Sequence, residues 1–159
     1  MSAKPDPDAF WQNFIKSVQA KYHTIWPSVD LFHEAIRCYK IEAYLAACTM
    51  CRASVEAILH LAKTRKGAIV EIDPNTYFKD LIRWAKNDNL LTGIEKKVED
   101  IRDWGDFGAH LAQKIDKAYS KLKPDLAEAI TIWADPPTSW QCIEDTAIVI
   151  RQVTNLVWT

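Results

Sequence analysis

The segment from Val98 to His110 gathers Arg102, Asp103, Trp104, Asp106 and His110 around two of the chain's four glycines, Gly105 and Gly108. Imidazole exchanges a proton near neutral pH, and guanidinium carries a fixed positive charge with planar donors, so these residue types suit proton transfer beside an anion. Spacing decides whether they can act together. In an unbroken helix, the seven residues between Arg102 and His110 place their Cα atoms roughly 12 Å apart along the axis and about 80° apart around it. They share a side without touching. A kink at either glycine, or pairing across a dimer, would bring them together. The structural alternative is that the glycines permit close helix packing, Arg102 pairs with Glu99 or Asp106, and His110 is a satisfied structural residue.

Three further groupings could carry chemistry. Cys48-x-x-Cys51 has the spacing of a metal or redox pair, but zinc needs two more ligands and the pair falls on a strongly helical stripe. Core thiols are the preferred reading, with Cys38, His33 and His60 as recruits if a metal bound; no metal and no cofactor are expected. Arg52 and Glu56, four residues apart, can form an ion pair on a helix flank or lie beside an Arg102 groove. The seven tryptophans suit cores, interfaces and base stacking. Trp140 and Trp158 near the chain end would be exposed in a monomer, which makes the last helix the expected homodimer surface.

The elements that must position these residues read as helices. Phe10, Phe14, Ile15 and Val18 recur at helical spacing after a leader covering residues 1–7. Pro27 is expected to break the chain, with Ser28 capping a second helix that ends near Lys40. Tyr44, Cys48, Cys51, Val55, Ile58, Leu59 and Ala62 trace the clearest stripe and predict a central third helix, closed at Gly67 after the basic run Lys63 to Lys66. Ala68 to Ile72 is treated as a loop. Asp73-Pro74 should open a fourth helix through Tyr77, Leu81, Ile82 and Ala85, ended by Asn87-Asp88-Asn89. Thr92 and Glu95 have capping-box spacing for a fifth. Helical pattern resumes through Leu111, Ile115 and Tyr119, then from Pro124 to Trp133. Asp135-Pro136-Pro137 is expected to form a loop, with Thr138 and Gln141 boxing the start of the last helix.

Composition narrows the function classes. The chain has 159 residues, of which 48% are hydrophobic, enough for one domain over residues 8–159 with a substantial core. Its 20 basic and 21 acidic side chains leave a net charge of −1, so any nucleic-acid contact must be local. Walker loops, dinucleotide fingerprints, nucleophile elbows and His-Glu-x-x-His motifs do not occur in the sequence. The polar start and short apolar runs lead to the expectation of a cytoplasmic protein without a membrane span.

Arg102 with His110, the intervening Gly105-Asp106 and Gly108-Ala109, and the earlier Cys51-Arg52-Ala53-Ser54-Val55-Glu56 resemble the two signature regions of domain-of-unknown-function family 4145, itself similar to the HEPN superfamily. The resemblance runs from about Tyr44 to Val157. It implies an all-α, up-and-down bundle of five to seven helices, frequent dimerisation and, in many HEPN members, a metal-independent endoribonuclease of phage defence or stress response. By that resemblance His110 would be the acid/base, Arg102 the phosphate stabiliser and Asp103 the orienting polar residue, with Arg52, Glu56, Trp104 and Asp106 in a binding role. The chain departs in the longer Arg102 to His110 spacing, and Asp100, Asp103 and Asp106 would repel a phosphate backbone. The expected function is RNA or nucleotide binding, with ribonuclease activity as the candidate reaction. The alternative is a non-catalytic helical adaptor that recruits a protein partner.

Overall fold

Apolar residues three and four apart bury one face of each helix, and the computed structural model assembles those faces into an all-α bundle. The structure describes residues 4–67, 76–109 and 135–159. Among them are six α-helices and no strand: α1 (Pro7–Val18), α2 (Tyr22–Lys40), α3 (Tyr44–Arg65), α4 (Phe78–Asn87), α5 (Glu95–Ala109) and α6 (Pro136–Val157). A 3-10 turn over Gln19–Lys21 joins α1 to α2. His110, the expected segments at residues 111–119 and 124–133, the loop at 68–72 and the Asp73-Pro74 start signal lie outside the described residues.

The central helix is α3, which packs against α2, α4, α5 and α6. Cys48, Cys51, Val55, Ile58, Leu59 and Ala62 are completely buried, as their periodicity required. By length and apolar content α3 also qualifies as a membrane-crossing helix. Here its apolar stripe is spent on helix contacts, which accounts for that composition. Phe14 of α1 meets Phe32 of α2 edge to face at 4.7 Å, and α1 also rests on α6.

Several boundaries differ from expectation, each for a local reason. Pro27 lies inside α2 instead of breaking it. Proline there forfeits one helical hydrogen bond, while the buried face of Ile25, Val29, Phe32, Ala35 and Ile36 holds the helix against its neighbours. Ser28, expected as a cap, is buried and exchanges hydrogen bonds with Ser54 of α3: each hydroxyl donates to the other's carbonyl, at 2.8 and 2.7 Å. Asp6 caps α1 through Ala9 N–H at 3.0 Å, placing Pro7 in the helix rather than in a leader. Tyr77 is extended and precedes α4. Thr92 donates to the Asn89 carbonyl at 3.3 Å instead of capping Glu95.

The largest reversal is at Asp135-Pro136-Pro137, which starts α6. Asp135 accepts from Thr138 N–H at 2.7 Å, and the prolines occupy first-turn positions whose N–H groups have no helical partner anyway. Gln141 then donates to Asp145 rather than closing a box with Thr138. The two tryptophans expected at an exposed dimer surface are covered within the chain. Trp140 packs against Phe10 and Tyr39, at 5.0 and 5.1 Å between ring centres, and Trp158 is buried. Ile148 and Leu156 are the α6 apolar residues left exposed.

Candidate functional site

Glu99, Arg102 and Asp106 recur at steps of three and four along α5, which puts them on one side of that helix. Gly105 brings that helix against α3. A Cβ built on Gly105 would overlap Arg52 Cβ and fall 2.7 and 2.9 Å from its Cδ and Cγ. Of the two expectations for this glycine, kink or close approach, α5 realises close approach, running helically through it to Ala109.

The approach carries Arg52 onto the α5 acids. Arg52 Nη1 donates to Glu56 Oε2 at 3.1 Å, and Nε lies 2.7 Å from Asp106 Oδ1, off the N–H axis and so an ion pair more than an aligned hydrogen bond. The guanidinium also sits 5.0 Å over the Phe78 ring of α4. Arg102 is held less closely: its Nη1 is 3.7 Å from Glu99 Oε2 and its Nε is 3.8 Å from Asp106 Oδ2. Lys86 of α4 reaches Glu99 at 2.9 Å. The result is a chain of alternating charge, Glu56–Arg52–Asp106–Arg102–Glu99–Lys86, crossing three helices, half-buried except at Lys86, which is exposed.

The structure therefore brings together Arg52, Glu56, Asp106 and Arg102 from the expected residues. Asp103 is exposed, one position beyond Arg102. Trp104 points away from this group and lines a cleft between α5 and α6 with Lys97, Gln141 and Asp145. Phe78 and Lys86 were missed. Lys86 and Glu99 lie on different helices and thirteen residues apart, so no local spacing rule joins them; Phe78 is visible in sequence only as a core residue of α4.

The cysteine pair finds a different third partner from those expected. Cys48 and Cys51 are joined by Cys142 of α6, all three buried, while His33 stacks on Trp11 at 4.2 Å. Burial drives the Cys142 thiol well above its ordinary pKa, while the pKa of Cys48 is lowered, mainly by its contact with Cys142. Among the described residues no group of three His, Cys, Asp or Glu side chains is arranged to hold a metal ion.

Comparison with known proteins finds one family. The model described as Domain of unknown function (DUF4145) matches residues 33–135. The match starts within α2, earlier than the resemblance suggested, and stops at the cap of α6, so it takes in every residue of the charge chain and leaves α1 and α6 outside. No curated protein and no solved structure matches the chain.

Proposed function

The chain belongs to the DUF4145 family, and on that premise we propose that it is a HEPN-like RNA-binding protein of prokaryotic defence or stress response, acting as a metal-independent endoribonuclease. In this reading Arg102 meets the scissile phosphate and His110 moves the protons. The supporting observation is the unequal hold on the two arginines. Arg52 takes the close contact with Asp106 at 2.7 Å, whereas Arg102 stands 3.7 and 3.8 Å from its acids with a third of its side chain exposed. Arg52 thus offsets the carboxylate charge, and Arg102 is the guanidinium that can turn to a phosphate, for which it makes stronger charge-assisted bonds. The reaction would remove the ribose 2′-OH proton, join that oxygen to phosphorus and release a protonated 5′-oxygen, leaving a 2′,3′-cyclic phosphate. Imidazole suits both proton transfers near neutral pH.

A second reading, a non-catalytic adaptor that recruits a protein, is favoured by the carboxylates themselves. Glu56, Asp106 and Glu99 balance Arg52, Arg102 and Lys86, so the face offers a polyanion no net attraction. Incubation of wild type, Arg102→Ala and His110→Ala with a structured RNA pool in EDTA separates the two. Cyclic-phosphate products from wild type alone support the ribonuclease. Folded wild type that neither cleaves nor retains RNA refutes it and leaves the adaptor.

A further inference from the structure

Two successive aromatic residues at the start of α4 have opposite surroundings. Phe78 is buried, whereas Tyr77, in extended backbone just before the helix, is 68% exposed. Lys79 Nζ stands 5.6 Å from the centre of the Tyr77 ring and has no carboxylate partner among the described residues. Between them, Phe78 carries the Arg52 guanidinium, which holds the Asp106 that Arg102 shares. At the far end of α4, Lys86 reaches Glu99. These two ties run α4 antiparallel to α5, and they set Tyr77 and Lys79 at the Asp106 end of the arginine face.

Resting on the RNA-binding reading above, we propose that Tyr77 is a stacking position for an unpaired base of the strand whose phosphate meets Arg102, with Lys79 on a neighbouring phosphate. The charge balance motivates this. Glu56, Asp106 and Glu99 offset Arg52, Arg102 and Lys86, so attraction of a polyanion does not supply the affinity. Stacking needs no net charge, because every base has a flat π-face for an aromatic side chain. The Tyr77 ring is bare enough to offer one, and a phosphate gives the Lys79 ammonium the anion it lacks within the chain. In a duplex both faces of each base are already stacked, so a position of this kind selects unpaired RNA. The other strongly exposed ring, Trp26, sits on α2, which contributes nothing to the charge chain.

The test is fluorescence anisotropy of the full chain with a short labelled 2′-O-methyl RNA, which lacks the 2′-OH needed for cleavage, offered as a single strand and as a blunt duplex. Wild type should prefer the single strand. Tyr77→Ala, at an exposed position that does not endanger folding, should weaken single-strand binding about tenfold and leave the duplex unchanged. Tyr77→Phe and Tyr77→Trp should bind within about twofold of wild type, since each keeps a stacking face. Lys79→Ala should reduce the slope of log affinity against log salt by about 0.7, the share of one phosphate on a single strand. Trp26→Ala should bind as wild type does. Folded wild type that retains neither RNA overturns this assignment together with the RNA-binding reading. Wild type that retains RNA overturns the assignment alone if Tyr77→Ala binds equally well, if Tyr77→Phe fails to restore binding, or if Trp26→Ala costs as much.

Discussion

Replacing Gly105 by alanine tests whether α3 and α5 touch at backbone level. An added methyl group would overlap Arg52 Cβ and stand 2.7 and 2.9 Å from Arg52 Cδ and Cγ, where carbon pairs settle at about 3.5–4.0 Å. The far end of Arg52 could turn away, but its Cβ is fixed to the α3 backbone. The helices must then separate, loosening Val98 and Ile101 of α5, both fully buried. Overpacking costs about 1–3 kcal/mol, and a backbone-borne clash belongs at the upper end, near ~3. Alanine returns about 1 kcal/mol of helix propensity over glycine. The net is a loss of ~2 kcal/mol, or a melting temperature lowered by about 4–8 °C for a domain of this size. Urea unfolding followed by tryptophan emission and circular dichroism should show an earlier midpoint at unchanged slope. Adding Arg52→Gly removes all three opposing atoms, so the double variant should lose less than the two single losses combined. A Gly105→Ala protein as stable as wild type, or more stable, would refute the close approach, since propensity alone would then have decided the outcome.

Two other perturbations follow from the geometry. Glu42 closes α2 at φ 65°, where Ala43 N–H reaches the Cys38 carbonyl at 2.9 Å and Glu42 N–H reaches Tyr39 at 3.0 Å. That is a Schellman ending with glycine's position filled by glutamate, so Glu42→Gly should raise the urea midpoint by about 1 kcal/mol of stability; a loss would refute it. Burial lowers the pKa of His33 and of His60 below the ordinary 6.5. The unfolded chain then binds protons the folded chain does not, so their contribution is full above 6.5 and is lost as pH falls through that value. Unfolding midpoints at pH 7.5 and 5.5 should differ in that sense, and the His33→Gln, His60→Gln double variant should flatten the difference.

The arginine face was partly legible beforehand. Arg52 with Glu56, and Arg102 with Glu99 and Asp106, are pairs set by helical spacing, and the structure forms all three. The contacts that make them one group, Arg52 to Asp106, Arg52 over Phe78 and Lys86 to Glu99, join residues on different helices. No period in the sequence marks which flank of α3 will meet which flank of α5. The same limit applies to Asp145, which reads as a polar helix position yet is buried beneath Lys97.

Helix identity and the buried stripe of α3 were determined by the sequence itself, because apolar spacing at 3.6 residues per turn is a local property and each stripe has one way to face inward. The ending at Gly67, φ +71°, belongs with them, since a glycine after a basic last turn is a local signal. Prolines were another matter. Pro27 and Pro136-Pro137 look alike as breaks, yet one lies within a helix and the others begin one. A proline's missing N–H disfavours continuation by a fixed local amount, and whether that prevails depends on what the rest of the helix buries and on a cap such as Asp135. Burial is a sum over contacts made by distant segments. Only the tertiary structure could set that sum, and with it the meeting of Arg52 and Asp106 that Gly105 allows.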